Sequence, residues 1–99
     1  MIAFKKMWED VSHILSEGDI TGLDITERFK SGFIVKENES TTFITREDFV
    51  DFWCQMLYFN EIDFNKLDKD GDTKRMYIYE VVKNLPYVYQ EKSMLKLIN

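Results

Sequence analysis

Phe43-Ile44-Thr45-Arg46-Glu47-Asp48-Phe49-Val50-Asp51-Phe52-Trp53-Cys54-Gln55-Met56-Leu57-Tyr58 is the stretch that decides the fold of this chain. Thr45 and Asp48 have the N-cap and N3 spacing of a capping box, and Glu47 adds negative charge to the first turn. Phe49, Phe52, Trp53, Met56 and Leu57 then recur at spacings of three and four. That pattern predicts a helix buried along one stripe and running to about Tyr58.

Upstream, Phe4, Met7, Trp8, Val11, Ile14 and Leu15 form a second such stripe, which predicts a helix over Ala3 to Glu17. Gly18 follows it and suits a left-handed helix end. Between the two helices the pattern becomes β-like. Phe33-Ile34-Val35 and Thr41-Thr42-Phe43-Ile44 flank the polar tip Lys36-Glu37-Asn38-Glu39-Ser40, as in a hairpin. A preceding strand is expected near Leu23 to Phe29, in an antiparallel sheet with one wet face.

Downstream, Asn60 is expected to cap a short helix carrying Ile62, Phe64 and Leu67, with a turn at Asp68-Lys69-Asp70-Gly71-Asp72. A further helix is predicted over Thr73 to Asn84, with Tyr77, Ile78, Val81, Val82 and Leu85 inward and Pro86 as its stop. Tyr87-Val88-Tyr89 and Leu95-Lys96-Leu97-Ile98 read as a closing hairpin, its turn at Glu91-Lys92-Ser93. The chain is therefore expected to be an α+β domain.

Composition bounds the rest. With 99 residues, 44% hydrophobic and 15% aromatic, the chain is one domain with a core of its own. Four Gly and one Pro leave no obvious linker. A single Cys rules out an internal disulfide and a Cys-based zinc site. No apolar run approaches a membrane span, and Glu9 and Asp10 follow Lys5 and Lys6 where a signal peptide would be apolar, so a cytoplasmic protein is expected.

A three-helix cluster followed by a hairpin is the order of a winged helix-turn-helix domain. Phe43-Ile44-Thr45-Arg46-Glu47-Asp48-Phe49, Met76-Tyr77-Ile78-Tyr79 and Asn84-Leu85-Pro86-Tyr87-Val88 resemble a winged-helix-like module of bacterial and phage proteins, some fused to restriction nucleases. The resemblance covers residues 42–98. In its small size the chain also looks like proteins carried on mobile elements such as integron cassettes. The resemblance implies a fold and carries no catalytic motif. The net charge of −5 departs from a typical DNA-binding member.

Chemistry-bearing residues are few. In the Asp68–Asp72 run no register places Gly at position six and Glu at position twelve of a calcium loop, so a solvated turn accounts for it. His13 has no metal-ligating neighbour at helical spacing and reads as a surface residue beside Glu9 and Glu17. Cys54 has acidic neighbours and reads as an inert, partly buried thiol. No nucleophile elbow, phosphate loop or dinucleotide fingerprint is present. The expectation is a non-enzymatic protein without metal or cofactor.

Two surfaces remain. Residues 73–99 hold Lys74, Arg75, Lys83, Lys92 and Lys96 against Glu80 and Glu91, a balance of +3 that leaves −8 for residues 1–72. In a winged-helix arrangement these cations would belong to the recognition helix and wing and would meet phosphates; an ordinary solvated face is the alternative. Tyr77, Tyr79, Tyr87 and Tyr89 are the second cluster, with Tyr87 and Tyr89 sharing one hairpin face and some rings exposed. The sequence thus points first to an interaction module, a homodimer that also docks a protein partner. DNA binding through the basic residues is the alternative.

Overall fold

In the computed structural model, which describes residues 2–18 and 20–98, the chain runs α1 (Phe4–Glu17), β1 (Ile25–Phe29), β2 (Gly32–Glu37), β3 (Ser40–Thr45), α2 (Arg46–Phe59), β4 (Glu61–Asp63), α3 (Phe64–Asp70), α4 (Thr73–Val82), β5 (Val88–Glu91) and β6 (Met94–Leu97). It is an α+β fold with four helices among the described residues and two small antiparallel sheets, ordered β1-β2-β3 and β4-β6-β5.

The capping box forms as its spacing predicts. Asp48 N–H donates to Thr45 Oγ1 at 3.2 Å, and Thr45 N–H donates back to Asp48 Oδ2 at 2.9 Å. The helix this starts, α2, packs against α1, β3, β4 and α4. Phe49, Phe52, Trp53 and Met56 are buried along it. Trp8 and Phe33 meet the Phe49 ring edge-on at 5.2 and 5.9 Å, so α1 and the first sheet close on the same side chain. Trp53 packs edge-on against Tyr87 at 6.0 Å, and its indole N–H donates to the Ile2 carbonyl at 2.9 Å. One helix therefore holds the N-terminal and C-terminal halves together.

In the first sheet Phe33, Val35 and Ile44 face the core while Phe29 and Phe43 stay on the wet face. Asn38, at φ 57, opens the two-residue turn between β2 and β3. Gly32 sits at φ 156, where a methyl group would collide with the Ile44 carbonyl, so this strand start requires glycine.

Several expectations are corrected. Asn60 does not begin the third helix. It closes α2 in the left-handed region (φ 63), its N–H donating to the Met56 carbonyl at 2.8 Å, and Asp63 caps α3 instead. Between them lies β4, which pairs with β6. The last strand is therefore central, flanked by β4 and β5, and not an unpaired edge. Gly18 ends α1 at φ 144 and ψ −157, outside the left-handed helical region expected of it. The fourth helix ends at Val82, and the Asp68–Asp70 part of the supposed turn is helical, with Gly71 closing α3 in the left-handed region. No described helix is long and apolar enough to cross a membrane.

Two predictions follow from this packing. Trp53→Ala should cost about 3–5 kcal/mol, read by urea denaturation, because it empties the junction of α1, α2 and Tyr87. An unchanged unfolding midpoint would contradict that placement. The second concerns Asp10, whose carboxylate accepts from the Tyr87 hydroxyl at 2.7 Å and pairs with Lys6 at 3.0 Å. The hydroxyl first, then the ammonium, hold this carboxyl below its ordinary value. A depressed carboxyl favours the native state above its unfolded value and loses that contribution as pH falls through the lowered one. Wild type should be more stable than Asp10→Asn at about pH 6, with the gap narrowing toward about pH 3.

Candidate interaction site

α4 begins where Asp72 caps it, Oδ1 accepting from Arg75 N–H at 3.2 Å. It carries apolar side chains almost all round, so it is buried on more than one side. Ile78, Val81 and Val82 go into the core. Tyr79 does too. It is 2% exposed, packs edge-on to Phe64 at 5.0 Å, and its hydroxyl donates to the Ser93 carbonyl at 2.8 Å. Burial first, then Glu80, raises its pKa. The expectation that Tyr79 offers an interaction ring is corrected: it locks α4 to α3 and to the β5–β6 turn.

The remaining face of α4, formed by Thr73, Met76, Tyr77 and Glu80 and continued by the C-cap Lys83, lines a cleft of about 610 Å³. Its other wall is the loop Thr21-Gly22-Leu23-Asp24 with the end of the β2–β3 hairpin, Lys36-Glu37-Asn38. Tyr77 is half-buried here, and its hydroxyl donates to the Glu37 carboxylate across the cleft. Burial, and next the bond to Glu37, push its pKa up to about 12. Asp24, Glu37 and Glu80 give the cleft three carboxylates against the amines of Lys36 and Lys83.

The cations expected to form one basic face are dispersed. Lys74 pairs with Asp48 at 3.7 Å and Lys83 with Glu80 at 2.5 Å. Nine residues at 100° each also place these two on opposite sides of α4. Arg75 pairs with Asp72 at 3.4 Å and reaches across to the Gln55 amide oxygen on α2. Lys96 sits on the central strand and pairs with Glu91 at 3.7 Å. Of these five cations, Lys92 at the β5–β6 turn has no acidic partner within ion-pair distance among the described residues.

The hairpin tyrosines separate as well. Tyr87 precedes β5, half-buried between Trp53 and Asp10, and this removes it from the exposed face expected for it. Burial first, then Asp10, raises its pKa. Tyr89 is exposed on the outer face of the second sheet, opposite Lys96. Two larger exposed pairs were missed by sequence reasoning. Phe29 and Phe43 meet edge-on at 5.9 Å on the first sheet, and Tyr58 and Phe59 meet at 4.8 Å at the end of α2. Tyr58 is 81% exposed. The period-two alternation that sends Phe33 and Ile44 inward sends Phe43 outward, so that signal was present.

The other singled-out residues carry little chemistry. His13 is exposed and lies 2.7 Å from Glu17. Cys54 is exposed, which corrects the partly buried placement expected from the neighbouring stripe. Asp72 caps a helix, and no group of three or more His, Cys, Asp or Glu among the described residues could hold a metal ion. Comparisons with family models, with curated proteins and with solved structures found no match to this chain.

Proposed function

We propose that residues 42–98 form a winged-helix-type unit and that the chain is a non-catalytic interaction module, self-associating and docking a protein partner through exposed aromatic pairs. The order α2-β4-α3-α4-β5-β6 with a β4-β6-β5 sheet supports the winged-helix part, with α4 in the place of the recognition helix and Lys92 at the tip of the wing.

The observation that carries the functional part is the position of the β2–β3 hairpin. A recognition helix reads DNA with its outward face, which must enter the major groove. On α4 that face is Thr73, Met76, Tyr77 and Glu80, continued by the C-cap Lys83, and it looks into the first sheet, tied there by Tyr77 and Glu37. The carboxylates of Asp24, Glu37 and Glu80 beside it oppose phosphate. Aromatic pairs such as Phe29–Phe43 and Tyr58–Phe59 supply the apolar anchors that protein interfaces use.

Fluorescence anisotropy with a labelled random duplex tests this. At about 50 mM salt the wild-type chain should give no binding, and Lys74→Glu/Arg75→Glu/Lys92→Glu should behave identically. Binding that weakens steeply with added salt and disappears in the triple variant would overturn the proposal and favour the DNA alternative.

A further inference from the structure

The two sheets present four edge strands, and three of them carry features that discourage pairing. β1 has a register irregularity between Ile25 and Glu27 and two charges, Glu27 and Arg28. β4 is three residues long with Glu61 and Asp63 at its ends. β5 ends in Glu91 beside Lys92. Short length, charge and bulges are the usual protections of a sheet edge. β3 has none of them. Ser40-Thr41-Thr42-Phe43-Ile44-Thr45 is six residues long, uncharged, in unbroken register with β2 and dominated by β-branched and aromatic side chains.

Its hydrogen-bonding direction can be read from both ends. Arg46 N–H donates to the Ser31 carbonyl at 2.8 Å, which makes 31 and 46 a bonded pair. Alternation along the register then assigns 33–44, 35–42 and 37–40 as bonded pairs. Thr41, Phe43 and Thr45 must direct their amides and carbonyls away from β2. Thr45 agrees, since its N–H turns to Asp48. Thr41 and Phe43 are exposed, and their outward amides have no backbone partner among the described residues.

We infer that β3 is the self-association surface, pairing antiparallel with β3 of a second copy about a two-fold axis at Thr42. The inference rests on the proposed self-association and assigns it a place. The spacing is self-complementary. A two-fold at Thr42 sets Thr41 opposite Phe43 of the other copy and Phe43 opposite its Thr41, so both outward positions exchange hydrogen bonds. Between the paired residues 40–44 no like charges meet, because the strand has none. The two three-stranded sheets become one of six strands. Phe29, Ile34 and Phe43 of each copy then lie on one continuous outer face.

Sedimentation at tens of micromolar tests it with two variants chosen to leave the monomer folded, as checked by circular dichroism. Thr41→Pro removes an outward amide at an edge position, where proline is tolerated. Phe43→Glu places a charge at the junction without emptying the core. Both should convert a particle of twice the chain mass to the monomer. In a Cys54→Ser background, Thr42→Cys should give a covalent dimer on mild oxidation, since the two side chains meet at the axis. A wild-type chain that stays monomeric at millimolar concentration would overturn the inference. A dimer that survives both variants but is lost in Tyr89→Ser would overturn it too, while leaving self-association standing and moving the interface to β5.

Discussion

The burial of one face of α2 against two different partners is the constraint on which the rest of the molecule depends. Phe49 takes Trp8 and Phe33 from the N-terminal half, and Trp53, one turn on, takes Tyr87 from the C-terminal half. Both sheets turn their apolar faces into the same core, Phe33, Val35 and Ile44 from the first and Ile62, Val88 and Leu95 from the second. The capping box fixes where α2 starts, directly after β3, so the strand and the helix axis are set by the same two side chains. Helix placement, sheet placement and core filling are thus a single event.

The docking of the first sheet onto this core has a functional consequence. It brings Glu37 to Tyr77 and turns the outward face of α4 into one wall of a cleft. Under the proposed function that face is not presented to a DNA groove while the sheet stays in place. The positive residues that looked like a nucleic-acid footprint in sequence are mostly paired within the chain, through Asp48, Asp72, Glu80 and Glu91. Among the described residues, exposed aromatic pairs and the uncharged edge of β3 remain at the surface. Under the proposed function both are offered to another polypeptide.

Elements made by local pattern were legible in sequence. The stripes of α1 and α2, the capping box and both hairpin turns arise from residues close together in the chain, and each is present. Elements made by distant pairing were not. Glu61-Ile62-Asp63 has one apolar residue between two charges, and it is a strand only because β6 arrives from more than thirty residues later. The same arrival makes β6 the central strand of its sheet. Tyr79 was misplaced for a related reason. Which ring of α4 points inward depends on α3 and on the Ser93 carbonyl, and neither is encoded in the helix's own periodicity. At the candidate interaction site, tyrosines stood out by type, yet the exposed pairs are set by strand alternation and by the end of α2.

Shared packing on α2 makes the first sheet and α4 one cooperative body. Native-state hydrogen exchange reads this directly, since each amide reports the free energy of the opening that frees it. The slowest amides of β2, α2 and α4 should exchange through the same global opening, with equal free energies and equal denaturant dependence. Amides of β2 and β3 that exchange through a much lower-energy opening, while α4 keeps its protection, would contradict it. The sheet would then leave α4 without unfolding the rest, and the outward face of that helix would be free for a groove.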